Sequence, residues 1–157
     1  MPRPIDTIGI SRLTPTDAVE LYCVVDANRI YLDNMVWAKG ASLELTRAYL
    51  VNTKDVVYGI YNRGYLAGVV SLRPIAVDSW MIGYWLGEYH RGRGIVPKAA
   101  QLMFDAYLIG AASKRTVVAT VRITNTASHS VLRKLGFKPM EFDESDSEWV
   151  FYTREFT

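Results

Sequence analysis

Hydrophobic positions recur along the chain with two different periods, and the change from one to the other marks out its elements. Ile8 to Arg12 alternates apolar and polar residues as a short strand does. Thr14-Pro15-Thr16-Asp17 then supplies helix-start chemistry ahead of Ala18, Leu21, Tyr22 and Val25 at helical spacing. Gly40 and Ser42 precede a second amphipathic helix carrying Leu43, Thr46, Leu50 and Val51, while Tyr31 to Trp37 fits either element. Val56 to Tyr61 and Tyr65 to Leu72 are β-rich runs joined by Asn62-Arg63-Gly64, a hairpin signal. Val77-Asp78-Ser79 reads as a turn and Trp80 to Leu86 as the next strand.

From Gly94 the period becomes helical, with Ala99, Leu102, Met103, Ala106 and Tyr107 as the expected buried stripe and Gly110 as the end. Pro97 is tolerable there because it falls in the first turn. Thr116 to Val121 is an apolar, β-branched strand, and Asn125 to Leu135 a short helix stopped by Gly136. Two last strands flank an acidic loop between Phe142 and Trp149. The predicted order is β-α-α-β-β-β-α-β-α-β-β, without repeats, low-complexity tracts or linkers. It predicts one mixed α/β domain over residues 1–157.

Composition changes this picture little. A chain of 157 residues, 50% hydrophobic and 22% charged, is of a size and make-up to build a single core without disulfides or metals. No run approaches 18 apolar residues, the first six residues lack the apolar core of a signal peptide, and Cys23 is the sole cysteine. These features predict a cytoplasmic protein with no membrane contact. Cys23 itself reads as a small core residue on the first helix. A net charge of +2 is too small to argue for nucleic acid, and no reader motif accompanies it. Local charge matters more: Arg91, Arg93 and Lys98 cluster, as do Arg122, Arg133 and Lys134, whereas Glu141, Asp143, Glu144, Asp146 and Glu148 form an acidic run. A basic cofactor side and a cationic acceptor would suit that asymmetry.

The chemistry concentrates in His90-Arg91-Gly92-Arg93-Gly94-Ile95-Val96, between an apolar strand and a helix start. Glycines there let backbone N–H groups converge on an anion, the helix dipole favours negative charge, and two guanidinium groups stand by. This is a seat for a phosphate-bearing ligand. Neither G-x-G-x-x-G nor G-x-x-x-x-G-K-[ST] occurs, so the two commonest nucleotide fingerprints are excluded.

A second motif narrows the ligand. Arg91-Gly92-Arg93-Gly94-Ile95-Val96 after Gly83-Tyr84-Trp85-Leu86, together with Asn125-x-x-Ser128 and Lys134-Leu135-Gly136-Phe137, resembles the GNAT superfamily of acyl-CoA-dependent N-acetyltransferases, in its RimJ/RimL-like branch. The resemblance covers essentially the whole chain. It implies a mostly antiparallel central sheet with helices on both faces and a splayed strand pair at the cofactor cleft. It further implies acetyl-CoA as cosubstrate and no metal. The pyrophosphate would lie on the amides of Arg91, Gly92, Arg93, Gly94, Ile95 and Val96, and the pantetheine arm would pair with the main chain near Leu86 and Gly87. Asn125 would bond that arm or cap the following helix, where asparagine is favoured.

Acetyl transfer needs a neutral amine, a polarised carbonyl and a proton for the leaving thiolate. Ser128 is the candidate donor to the thiolate, because Leu132 stands where many relatives carry a tyrosine. For the base, Met81 replaces a carboxylate common in related sequences, which leaves Glu88, Asp78, His90, Glu148 and Glu141 as candidates. Glu88, at the strand end, is carried as the catalytic carboxylate. Trp37 and Tyr84, with Tyr31, Trp80 and Trp85, are candidate walls of an acceptor pocket, and Glu148 a candidate substrate contact. The implied reaction is direct attack by a primary amine, of a protein N-terminus or a small molecule, in a ternary complex on a monomer or homodimer. A non-catalytic acyl-CoA-binding module on the same fold is the alternative, motivated by Met81 and Leu132.

Overall fold

The computed structural model describes residues 4–32, 35–110, 112–140 and 148–157. The strands β1 (Ile8–Arg12), β2 (Val56–Asn62), β3 (Tyr65–Ala76), β4 (Ser79–Leu86), β5 (Arg115–Arg122), β6 (Lys138–Pro139) and β7 (Trp149–Phe156) form one sheet. Their order across it is β1-β2-β3-β4-β5-β7-β6. All neighbours are antiparallel except β4 and β5. That parallel pair is joined by a helical crossover, as parallel strands require.

Five helices cover the two faces: α1 (Ala18–Ala27), α2 (Val36–Lys39), α3 (Leu43–Asn52), α4 (Ile95–Tyr107) and α5 (Thr126–Lys134). Alternation along the strands divides the core in two. Val56, Ile60, Val70, Leu72, Ile82 and Val117 point to the face covered by α4 and α5, around fully buried Met103 and Phe104. Burying each of those two side chains contributes about 1.5–3 kcal/mol. Val57, Val69 and Trp85 point the other way and pack with Leu21, Val25 and Leu50 of α1 and α3.

The hairpin between β2 and β3 closes on the pair Asn62↔Tyr65, with Arg63 at φ 53° and Gly64 at φ 84°. Two successive positive φ values are those of a type I′ turn, whose twist matches the strands. β3 runs four residues past Leu72, the end that its apolar pattern predicts. Residues 73–76 are exposed and still pair with β4, through an irregularity beside Pro74. The ambiguous stretch before Ser42 contains the single-turn helix α2, and Ser42 caps α3 by accepting from the Leu45 N–H at 3.1 Å.

Two expectations about burial are corrected. The buried stripe of α4 is Ile95, Val96, Ala99, Ala100, Met103 and Phe104, while Ala106 is exposed and Leu102 and Tyr107 are half-buried. The stripe turns toward the helix start because the glycine turn before Ile95 presses the first turn of α4 onto the sheet. Cys23 is exposed on α1 rather than in its core-facing stripe, since Leu21 and Val25 point inward and leave position 23 on the far side.

Candidate active site

β4 and β5 stay together for three residue pairs only, Ser79↔Thr116, Trp80↔Val117 and Met81↔Val118. Beyond them residues 82–86 and 119–122 diverge, while β4 remains paired with β3 as far as Gly68↔Leu86. A side chain at position 68 would run into the Trp85 carbonyl oxygen and the Leu86 Cα, so only glycine lets β3 hold the end of β4 away from β5. Main-chain groups alternate in direction along a strand. Gly87 donates its N–H to the Ala67 carbonyl at 2.8 Å, on the β3 side, and its carbonyl accepts from His90. The main-chain groups of Tyr84 and Leu86 therefore face the gap, whereas Gly87, the other position expected to pair with a ligand, has its N–H committed to β3.

The strand end passes through a 3-10 turn, Glu88–His90, into the loop before α4. Gly92 and Gly94 adopt φ 75° and 70°, and a Cβ at either would meet nothing within 4 Å. Glycine is thus required by the backbone and not by crowding: the space over the loop is open. Gly94 is the N-cap of α4 and no side chain caps that helix. Ile95 and Val96 bury their side chains in the core and present their amides at the helix start, while Pro97 has no N–H to satisfy.

Both guanidinium groups of the loop are engaged within the protein. Arg91 donates from Nε to the Leu86 carbonyl at 3.2 Å and from Nη2 to the Tyr31 carbonyl at 2.8 Å. Arg93 pairs with Asp6 at 2.8 Å, donates to the Tyr89 carbonyl at 2.7 Å and lies 4.6 Å from the centre of the Tyr89 ring. His90 joins the same network. Asn62, buried, accepts from the Thr7 N–H with Oδ1, so its Nδ2 is the donor to Asp6 at 2.9 Å and to His90 Nδ1 at 3.3 Å. Burial, and then the neighbouring Arg93 charge, lower the His90 pKa. The two arginines thus brace the loop from within, and the amides at the start of α4 are what the turn leaves for an anion.

Across the gap, Asn125 caps α5: its Oδ1 accepts from the Ser128 N–H at 3.2 Å. This is the capping role, and it sets Ser128 beside Tyr84 in the wall of a cleft. Burial pushes the Tyr84 pKa up, and the neighbouring Ser128 hydroxyl offsets part of the shift. His129, one position on, is turned away to the Tyr152 hydroxyl at 2.6 Å and the Arg122 carbonyl at 3.0 Å. Ser128 and Tyr84 thus bring two hydroxyls together where the strands part.

A cleft of about 1420 Å³ opens there on the face covered by α1 to α3, with Ser128, Tyr84, Trp37, Trp85 and Trp149 in its walls. Trp37 and Trp85 rings sit 6.0 Å apart. Trp37 is placed by a residue whose role the sequence did not signal: Arg29 of the turn after α1 donates to the carbonyls of Ala38 at 2.8 Å and Ala41 at 2.6 Å, clamping α2 over the cleft.

The carboxylates fall elsewhere than expected. Glu88 is exposed, its N–H on Asn28 Oδ1 at 2.9 Å, and it does not line the cleft. Asp78 sits at the far end of β4 and accepts from Ser113 at 3.2 Å. Glu148 is an exposed rim residue 3.3 Å from Arg122, which stacks on Trp149. Glu141 and the acidic residues Asp143, Glu144 and Asp146 lie outside the described residues. Among the described residues lining the cleft the one carboxylate is Asp55, just before β2, which the sequence reading did not single out. Tyr49 donates to it at 2.9 Å.

Residues 8–138 match the acetyltransferase (GNAT) domain family. The chain belongs to the GNAT acetyltransferases. Among its GNAT relatives is the ribosomal-protein-serine acetyltransferase of Escherichia coli, 32% identical over 155 residues, covering 84% of this chain and 83% of that protein. The probable N-acetyltransferase YjcK of Bacillus subtilis is 32% identical over 146 residues, covering 83% and 80%. The solved structure of RimL, a ribosomal α-N-protein acetyltransferase in complex with coenzyme A, superposes with a TM-score of 0.81 at 25% identity over 94% of this chain and 93% of that one. The RimJ/RimL-like resemblance carried by the two motifs, and the GNAT fold it implied, are both present. No helix of the described residues is long and apolar enough to cross a membrane.

Proposed function

We propose that residues 1–157 act as one acetyl-CoA-dependent N-acetyltransferase domain, which moves the acetyl group to a primary amine of a protein N-terminus or small molecule by direct attack in a ternary complex. The observation that carries this reading is the parting of β4 and β5 at an open turn of two left-handed glycines that leads into the uncapped start of α4. The residues fit the ligand: the space where Cβ atoms would stand on Gly92 and Gly94 is free, so phosphate oxygens can approach the amides of residues 92–96. The Leu86 N–H is offered to the pantetheine arm as a neighbouring strand's would be, while its carbonyl accepts from Arg91. RimL, the related enzyme, was solved with coenzyme A.

Acetyl-CoA supplies an acyl group activated as a thioester. Ser128 Oγ holds the proton for the departing sulfur, and the Tyr84 phenol, beside it in the cleft wall and kept protonated by burial, holds a second proton in reserve. Trp37 and Trp85 wall the acceptor side and exclude water from the amine. Glu88, whose main-chain N–H is held by Asn28, serves to fix the loop entrance, and amine deprotonation passes to water at the cleft mouth. The reading takes the protein as a monomer or a homodimer in a cytoplasmic setting, the latter suiting the exposed Cys23.

A thiol-release assay with acetyl-CoA over amine classes tests the reading, alongside calorimetry of coenzyme A. Turnover with some primary amine, and loss of about 100-fold in kcat with little change in coenzyme A affinity for Ser128→Ala, are the expected results. Well-folded protein that binds no coenzyme A would sink it, and binding without transfer would leave only a binding module.

A further inference from the structure

Asp55 is held in a manner that leaves it ready for a ligand. Its side chain is 12% exposed, whereas that of its ion-pair partner Arg73 is 69% exposed, and the Arg73 Nε contact at 3.7 Å is longer than a hydrogen-bonded ion pair. Exposed pairs of that kind are weak and readily exchanged. The Tyr49 hydroxyl holds the other carboxylate oxygen at 2.9 Å, and burial pushes the Tyr49 pKa up to about 12, so it remains a donor across the working range. Among the described cleft residues no second carboxylate accompanies Asp55.

The sheet register gives its distance from the chemistry. Val56 pairs with Leu72 and Arg73 with Met81, so position 55 continues the row that crosses β3 at Arg73 and β4 at Met81. Tyr84 lies three residues further along β4, opposite Val70 and Tyr58. Two strand spacings and three residues of rise separate the Cα atoms of Tyr84 and Asp55 by roughly 14 Å. Tyr84 shares the face of Ile82 and Asp55 that of Val57, so the two are bridged through the gap where β4 and β5 part, a span on the order of 14 Å or roughly four extended peptide residues.

We infer that Asp55 docks a second positive charge of the acceptor, distinct from the amine that attacks, so that the preferred acceptors carry a cation about one cleft length from the reacting nitrogen. The inference rests on the acetyltransferase reading above. Arg73 occupies the carboxylate until the acceptor arrives and then swings to solvent. The attacking amine has to be neutral, whereas the distant group keeps its charge. The shared chemistry is that of a linear polyamine or of a peptide with a basic side chain near its N-terminus.

Matched acceptors test this: spermidine against n-octylamine, and the peptides Ser-Ala-Lys against Ser-Ala-norleucine, with kcat and KM from thiol release. Their binding to coenzyme A-loaded protein is read by calorimetry. Wild type is expected to favour the cationic member of at least one pair by about tenfold or more in kcat/KM, and whichever pair shows it identifies the source. Asp55→Asn should abolish that preference through KM, leaving coenzyme A affinity unchanged. Arg73→Gln should move KM for the cationic acceptor the opposite way, downward, because it removes the resident competitor. A merely structural ion pair would make the two substitutions act alike. Equal use and equal binding of charged and neutral acceptors by wild type, or a preference that survives Asp55→Asn, would overturn the inference. The calorimetric arm reads the docking even where turnover fails, so loss of the enzyme reading and loss of the docking reading are told apart.

Discussion

Gly94→Ala isolates what the loop conformation is worth to the donor site. Position 94 has φ 70°, and a Cβ there would meet nothing within 4 Å, so the substitution introduces no clash and only the cost of a left-handed residue. That cost is about 1–2 kcal/mol. Gly110, after α4, is the control: φ is 87°, a Cβ again meets nothing within 4 Å, and it lies past the opposite end of that helix. Both alanine variants are expected to lower stability by a similar amount in urea denaturation. Only Gly94→Ala should weaken coenzyme A, because the ligand selects a loop that is now populated less often. At 1.4 kcal/mol per tenfold, the strain converts to a loss of roughly 5- to 30-fold in Kd by calorimetry, against none for Gly110→Ala. Equal Kd values for Gly94→Ala and wild type, with the expected destabilisation present, would refute the assignment of the anion seat to this turn.

Asn125→Ala removes the α5 cap and should cost about 1 kcal/mol, lowering Tm by roughly 2–4 °C. Because the same cap orients Ser128, kcat should fall more than coenzyme A affinity, and a variant with lowered Tm and wild-type kcat would contradict this. His90 accepts from Asn62 with Nδ1 and is therefore neutral in the fold, and its folded pKa lies below the unfolded value of 6.5. Between those values the unfolded chain binds more protons, so its contribution to stability is complete above about pH 6.5 and is lost as pH falls through the folded pKa. His90→Gln should flatten the stability curve of pH-stepped thermal denaturation in that window, and parallel curves for the two proteins would speak against it.

The elements that position the donor were legible because each carries a local signal. The strand-to-helix turn has glycines where φ must be positive, the hairpin has Arg63-Gly64, and the period changes from two to 3.6 at Gly94. The acceptor side was harder to read. Arg29 acts on carbonyls nine to twelve residues away and Asp55 faces residues of α3 and β3, and neither relation has a periodicity. The arginines of the loop invited an electrostatic reading, yet bracing through the Leu86, Tyr31 and Tyr89 carbonyls depends on tertiary geometry. Glu88 was chosen by proximity along the chain, but the 3-10 turn that begins at it leaves it exposed outside the cleft, its main-chain N–H held by Asn28 at the end of α1. The inward stripe of α4 was missed by about one residue because helical spacing leaves the rotation of a helix undetermined until its neighbours are placed.

Three residue pairs, Ser79↔Thr116 to Met81↔Val118, are all that joins the two antiparallel halves of the sheet strand to strand. One half, β1 to β4, is drawn from residues 8–86 and the other, β5 to β7, from residues 115–156, so each wall of the gap is continuous in sequence. During synthesis the first wall is complete, hairpin and glycine turn included, before the second has left the ribosome. The parallel joint then waits on the crossover through α4, the slower kind of contact to close. The cleft is thus a seam between two walls that are each continuous in sequence, closed from below by a single core in which Val70 and Ile82 of one wall meet Val117 and Tyr152 of the other.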